Sequence, residues 1–123
     1  MLKLNLALVF FCAVLGLTGC ETQGSLFYWG EYEKLLHQMY VKPGATDPVA
    51  QVDILNRDLQ KAEAKDLKPA PGVYAHLGYM YAAMGDVSNA EAAFNAEIAL
   101  YPESAVLLQG MMNRARSSQG ARK

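Results

Sequence analysis

Apolar residues recur at helical spacing in five segments of the chain, and turn-forming residues separate these segments. Within each segment the apolar side chains lie three or four positions apart, as they do on one face of a helix. No segment alternates between apolar and polar residues for long enough to predict a strand. The pattern predicts an all-α domain, a short array of about five helices arranged as hairpins. The predicted helices run from about Tyr28 to Tyr40, Asp47 to Lys65, Val73 to Met84, Asp86 to Tyr101 and Ser104 to Ala115.

Residues at the helix ends support these boundaries. Asp47 precedes Pro48, which suits an N-cap followed by the first helical position. Gly85 is placed to end the third helix in the left-handed conformation. The fourth helix has two candidate caps, Asp86 and Ser88, and Ser88 has an acidic residue three positions further on, as in a capping box.

A different pattern occupies the N-terminus. The apolar run Leu4–Leu17 is about 14 residues long, whereas a spanning helix needs about 20, so its length is that of a signal-peptide core. Lys3 supplies the positive charge that precedes such a core. The next residues, Leu17-Thr18-Gly19-Cys20, resemble the lipobox of bacterial lipoproteins. The resemblance implies that residues 1–19 are a removable signal peptide and that Cys20 carries a diacylglyceryl group and an N-acyl chain.

The lipobox resemblance also implies a location. Glu21 follows Cys20, and by the sorting rules of such lipoproteins it indicates the outer membrane of a Gram-negative bacterium, with the protein anchored by its lipid and facing the periplasm. Residues 20–25 would then form a lipidated tether. We expect the helical domain to span residues 26–117 and a flexible basic tail to span residues 118–123.

Composition and charge exclude some classes of partner and of covalent cross-link. Of the 123 residues, 52% are hydrophobic and 19% are charged, and the formal net charge is −1. This balance argues against nucleic acid as a partner, because duplex binding rests on many phosphate contacts. The two cysteines are Cys12 and Cys20, and Cys12 lies within the predicted signal peptide, so no internal disulfide is expected.

Side chains with catalytic or metal-binding chemistry are few and scattered. His37 and His76 have no cysteine or carboxylate at ligand spacing, and the chain has no glycine-rich phosphate loop or nucleophile elbow. Asp53 and Asp58 are not spaced to lie together on one helix face, so we expect both to be solvated. The sequence therefore predicts a protein that is not an enzyme, with no metal, no cofactor and no small-molecule substrate.

Residues 71–104 resemble one tetratricopeptide repeat, a hairpin in which small and aromatic residues occupy fixed positions. Gly78 and Ala90 stand where the two helices of such a repeat cross closely. Glu97 departs from the pattern, which has a small residue there. The resemblance implies a degenerate array: a half repeat that begins near Gly30, an irregular helix, one good repeat and a capping helix. Tyr74 stands where the pattern has a tryptophan. The matching positions are Leu77, Gly78, Tyr81, Ala90, Phe94 and Pro102.

In arrays of this type the first helix of each hairpin lines a concave groove. The resemblance implies that Ala75, Tyr79, Ala82 and Ala83 face this groove and favour a helix or an apolar segment as partner. The alternative is that these residues only pack on the neighbouring helix.

An aromatic cluster follows the predicted tether, at Phe27, Tyr28, Trp29 and Tyr32. Four large rings this close in sequence cannot all point inward from one helix. We expect part of the cluster, together with Tyr79, to contact another protein near the membrane. The alternative is that the cluster packs within this domain's own core, with Trp29 covering the end of the bundle.

A second resemblance joins these features. The lipobox, the run Tyr28-Trp29-Gly30-Glu31-Tyr32 and one such repeat are similar to a family of uncharacterised bacterial lipoproteins. Their genes usually lie beside that of a curli-channel-like (CsgG-like) outer-membrane lipoprotein and a third small lipoprotein. The resemblance implies a protein-binding adaptor in an outer-membrane assembly. The alternative is a structural envelope lipoprotein that binds peptidoglycan through its basic C-terminal residues, which are Arg114, Arg116, Arg122 and Lys123.

Overall fold

A computed structural model describes residues 24–120. The predicted signal peptide, Cys20 with Glu21 and the first part of the tether lie outside the described residues, as do Arg122 and Lys123. Within the described range, the prediction of an all-α array with five helices is confirmed. The elements are β1 (Phe27–Tyr28), α1 (Tyr32–Val41), α2 (Pro48–Ala64), β2 (Lys68–Pro69), α3 (Val73–Ala83), α4 (Val87–Leu100), a 3₁₀ turn (Pro102–Ser104) and α5 (Ala105–Gly120).

The helix ends follow the predicted capping chemistry. The Asp47 side chain accepts a hydrogen bond from the Val49 N–H, and Pro48 is the first residue of α2. The Asp86 carboxylate accepts a 3.1 Å hydrogen bond from the Asn89 N–H. Asp86, and not Ser88, is therefore the cap of α4. Each cap satisfies a backbone N–H that has no partner within the helix.

Two short strands are absent from the sequence prediction. β1 pairs in parallel with β2, with Phe27 opposite Lys68 and Tyr28 opposite Pro69. The predicted start of the first helix at Tyr28 is therefore wrong, because Tyr28 belongs to β1 and α1 begins at Tyr32. Two-residue strands are too short to show an alternating pattern, and their pairing joins distant parts of the chain.

The C-terminal helix is longer than predicted. α5 continues through Gly120, three residues into the segment that we expected to form a flexible tail. The apolar stripe that predicted the helix ends earlier, at Ala115. Arg116, the next residue, hydrogen-bonds Glu91 on α4. Beyond its apolar face, α5 is therefore joined to α4 by a polar contact.

The core has two connected parts. The larger cluster is built from α1, α2 and α3, with Leu55, Val73 and Leu77 among its buried members. The smaller cluster lies between α4 and α5, where Phe94 and Leu108 are almost fully buried. α3 and α4 form the most extensive helix pair, so this hairpin links the two clusters.

The close crossing of α3 and α4 depends on Gly78. A Cβ atom at Gly78 would lie 2.6 Å from ring carbons of Phe94 and 3.1 Å from the Ala90 carbonyl oxygen. Ala90 is fully buried on the facing side of α4. The predicted contact between these two small residues is confirmed, and it lets the aromatic ring of Phe94 lie directly over the backbone of α3.

Candidate binding groove

A cleft of about 340 Å³ runs between α3 and α5. Tyr79 projects into it and keeps 49% of its surface exposed. The wall on α3 is otherwise made of small residues, and Phe94 of α4 also contributes to the lining. We call this surface the α3–α5 groove; it is lined by Tyr79, Ala82, Ala83, Phe94, Met111, Arg114 and Ser118.

The α5 wall was not assigned from the sequence. Met111, Arg114 and Ser118 lie three and four positions apart, so they share one face of α5. The exposed residue Leu107 lies one turn before Met111 on the same face. This spacing is present in the sequence, but the tetratricopeptide resemblance covers only residues 71–104 and therefore predicts no groove residue on α5.

The structure brings three of the four predicted groove residues to this cleft. Tyr79, Ala82 and Ala83 line the α3–α5 groove. Ala75 is half-buried and packs against the α4–α5 core cluster instead. The groove lining is mostly apolar, and its α5 wall carries the polar residue Ser118 and the cation Arg114.

The N-terminal aromatic cluster divides between core and surface. Tyr32 is buried, and its ring lies edge-on to His76 with centroids 5.9 Å apart. Phe27 packs on the core and contacts the Tyr101 ring. The assignment of Tyr32 to a binding surface is therefore corrected, since its side chain is enclosed by α1, α3 and the segment before α3. Trp29 remains 41% exposed.

Glu97 has a structural role that sequence analysis missed. Its side chain is 1% exposed, and its carboxylate accepts hydrogen bonds from the Gly72 N–H (2.6 Å) and the Ala75 N–H (3.3 Å). These two N–H groups open α3, whose own N-cap residue Gly72 has no side chain to offer. A side chain on α4 therefore caps the N-terminus of α3 and places a negative group at the positive end of its dipole.

Asp58 repeats this arrangement in the first half of the chain. It is 3% exposed, and its carboxylate accepts a 2.6 Å hydrogen bond from the Glu31 N–H at the start of α1. The expectation that Asp58 is solvated is wrong. Gly30 and Gly72 both have positive φ, so each capped helix follows a left-handed glycine. An acid on the second helix of a hairpin, paired with a glycine before the first helix, is the signal that could have revealed both sites.

A polar chain also crosses between α2 and α3. Gln51 donates a 2.8 Å hydrogen bond to the Thr46 carbonyl, and its amide oxygen accepts from His76 Nε2 over 2.9 Å. Gln51 and His76 are both buried. Desolvation lowers the pKa of His76 below its usual value. His76 therefore serves as a neutral interhelical donor, whereas His37 is exposed on α1.

A second, larger cleft of about 790 Å³ lies on the side of the molecule formed by α2, β2 and the start of α3. Leu59, Leu67 and Tyr74 supply apolar surface, while Glu63, Asp66 and Lys68 are charged residues in its lining. Opposite charges are interspersed here, and the cleft has no single electrostatic character.

Two of the basic C-terminal residues, Arg114 and Arg116, lie within the described range and make different contacts. Arg116 Nε donates a hydrogen bond to Glu91 on α4. This contact lowers the pKa of the Glu91 carboxyl and raises that of the Arg116 guanidinium. Arg114 lines the α3–α5 groove.

The described part of the chain contains no group of three or more histidine, cysteine or acidic residues placed to hold a metal ion. In the same range no helix is both long and apolar enough to cross a bilayer.

The fold and the groove define a small all-α array domain that presents an apolar cleft between two helices of its array. The chain belongs to a family described as a domain of unknown function, DUF4810, whose model matches residues 26–111. No curated protein and no solved structure matches this chain.

Proposed function

We propose that the protein is a lipid-anchored, non-catalytic protein-binding domain that uses the α3–α5 groove. The observation that supports this function is the half-exposed Tyr79 beside Ala82 and Ala83, facing Met111 across an open cleft. A rigid aromatic side chain next to small residues provides a contact surface at a low cost in side-chain entropy.

The chemistry of the groove favours an amphipathic helix or an apolar segment as its occupant. Small residues on α3 leave room for a large apolar side chain, and helices dock in such grooves through side chains one turn apart. Arg114 would pair with an acidic group on the same segment. By the family resemblance we propose that the partner is the curli-channel-like outer-membrane lipoprotein, with this protein as an adaptor subunit.

The anchor is proposed from the lipobox at Cys20. Acyl chains stabilise membrane attachment by about 0.8 kcal/mol per buried methylene group, and more than one chain makes the attachment firm. Together with Glu21, this would hold the domain at the outer membrane on its periplasmic side.

Peptidoglycan binding has less support. It would draw on the basic C-terminal residues, but the guanidinium of Arg116 is already engaged by Glu91 and Arg114 lines the groove. Sedimentation of the protein with purified sacculi distinguishes this alternative from the adaptor.

Co-purification of the detergent-solubilised full chain with the channel-like protein tests the groove. We expect Tyr79→Ser and Ala83→Arg to reduce the amount of co-purified partner at least severalfold. The first variant removes the aromatic ring from the groove, and the second fills the cleft. Both residues are exposed, so the fold should tolerate the changes.

Matched controls exist elsewhere on the surface. Tyr40 is an exposed tyrosine on α1, and Ala92 is an exposed alanine on α4. Tyr40→Ser and Ala92→Arg should leave co-purification unchanged. Equal losses in the groove and control variants, or no loss in either groove variant, would contradict the proposed groove.

A further inference from the structure

Two large apolar side chains stay exposed at the start of the described chain. Leu26 is 77% exposed and Trp29 is 41% exposed. They flank β1, whose pairing with β2 holds this segment against the helical domain. Their exposure is therefore a property of an ordered surface and does not come from a chain end detached from the fold.

Lysines border the same surface. Lys65 Nζ lies 5.0 Å from the centroid of the Tyr28 ring, and Lys68 stands opposite Phe27 in the strand register. Both lysines are exposed. Asp66 lies between them in sequence and lines the adjoining cleft. We call a set of exposed or half-exposed residues on and beside β1 and β2 the β1 face: Leu26, Tyr28, Trp29, Lys65 and Lys68.

The predicted anchor lies very close to the β1 face. Six residue steps separate Cys20 from Leu26. Since a fully extended chain spans at most about 3.6 Å per residue, Leu26 can lie no more than about 22 Å from an acylated Cys20. A small folded domain is about 30 Å across, so none fits between the β1 face and the bilayer along this tether.

We infer that the β1 face docks on the headgroup layer of the membrane that holds the anchor. Trp29 and Leu26 enter the interface, where tryptophan is enriched because its ring has an apolar body and a polar edge. Lys65 and Lys68 contact anionic headgroups. The inference rests on the proposed lipidation of Cys20 and is independent of the groove.

Docking would also orient the domain. With β1 held against the membrane, the α3–α5 groove would be presented at a fixed height to a partner in the same membrane. The anchor alone would leave the domain free to rotate about its tether.

Trp29 is the single tryptophan of the chain, and its fluorescence therefore reports this face alone. The mature lipoprotein is reconstituted into vesicles of phosphatidylethanolamine and phosphatidylglycerol, with and without brominated acyl chains. We expect the emission to shift to shorter wavelength and to lose most of its intensity with brominated lipid. Mass spectrometry of the same preparation determines whether Cys20 carries lipid.

Variants identify which side chains dock. Since a lysine near an anionic surface contributes about 1 kcal/mol, Lys65→Ser and Lys68→Ser should each lower the ratio of docked to undocked protein about fivefold. Leu26→Ser should also reduce quenching. Lys42→Ser changes an exposed lysine elsewhere, and Val106→Ser changes an exposed aliphatic residue elsewhere; both should leave quenching unchanged.

Each other result overturns the inference in a distinct way. Lipid on Cys20 without quenching of Trp29 contradicts docking and leaves the anchor intact. Absence of lipid on Cys20 contradicts the anchor and the docking together. Shielding of Trp29 only after addition of the channel-like protein assigns the β1 face to a protein contact instead.

Discussion

The Glu97 carboxylate on α4 accepts a 2.6 Å hydrogen bond from the Gly72 N–H at the start of α3. The contact joins the two helices of the central hairpin through a buried polar pair. A buried carboxylate is costly unless its oxygens are hydrogen-bonded, and here each oxygen accepts one backbone N–H. The helix start and the buried acid therefore stabilise each other.

Removal of this carboxylate should destabilise the domain. Glu97→Ala leaves the N–H groups of Gly72 and Ala75 buried without acceptors, so we expect a loss of about 3 kcal/mol in the free energy of unfolding. Glu97→Gln keeps one acceptor and should cost about half as much. Urea denaturation followed by circular dichroism measures both, with Glu103→Ala, an exposed acid in the 3₁₀ turn, as control. Equal stabilities of Glu97→Ala and Glu103→Ala would contradict the capping role.

Gly78 should be intolerant of even one added methyl group. Its Cβ would overlap the Phe94 ring, so Gly78→Ala should cost about 1–3 kcal/mol, and Gly78→Leu or Ala90→Leu should also overpack the crossing. Gly110 lies in α5, and a Cβ atom there would lie 3.6 Å from a guanidinium nitrogen of Arg114, which is an ordinary van der Waals distance. Gly110→Ala should therefore be neutral or stabilise by up to about 1 kcal/mol. Thermal melts that rank the two alanine variants in the opposite order would refute the close crossing.

The pH dependence of stability should report His76. Burial holds the pKa of His76 in the folded state below that of the unfolded chain, about 6.5. The stabilisation is thus complete above pH 6.5, and as the pH falls below this value the unfolded state binds the proton first. The free energy of unfolding should fall by up to about 1.4 kcal/mol per pH unit until the folded pKa is reached.

Two histidine variants separate this effect from the titration of carboxylates. His76→Gln can still donate to Gln51 but cannot be protonated, so its stability should change less than that of the wild type between pH 7 and pH 5. His37→Gln alters the exposed histidine and should keep the wild-type dependence. Identical pH profiles for the two variants would speak against a buried neutral His76.

Lipidation should depend on Cys20 alone. We expect Cys20→Ser to abolish metabolic labelling with palmitate and to leave the precursor unprocessed, because the lipobox resemblance implies that this thiol accepts the lipid. Cys12→Ser changes the other cysteine, within the predicted signal peptide, and should be labelled as the wild type is. Wild-type labelling of Cys20→Ser would rule out the lipobox interpretation.

Local features of the chain could be predicted without the structure. The helical spacing of apolar residues located the five helices, since each amphipathic stripe consists of residues within a single segment of the chain. Asp47 before Pro48 predicted the start of α2, and Gly85 predicted the end of α3, because caps depend on neighbouring residues. The contact between Gly78 and Ala90 was accessible because a repeat pattern relates two helices at a fixed offset.

The arrangement around β1 could not be predicted from local sequence patterns. β1 and β2 are two residues each, and the ladder between them exists only because the folded helices bring Tyr28 beside Pro69. The same folding decides that Tyr32 is buried while Trp29 stays exposed. A sequence shows that four rings lie close together, but which of them meets the core depends on the direction in which the chain enters the bundle.

By itself, the sequence determined the positions of the helices, their local caps and the small residues at their crossing, because each depends on residues near one another in the chain or at a repeat offset. The tertiary structure alone decided that Asp58 and Glu97 are buried caps and that Met111 and Arg114 form the second wall of the groove. These depend on contacts between helices distant in sequence. An acid or an arginine on a helix surface has the same local pattern whether it meets water or another helix.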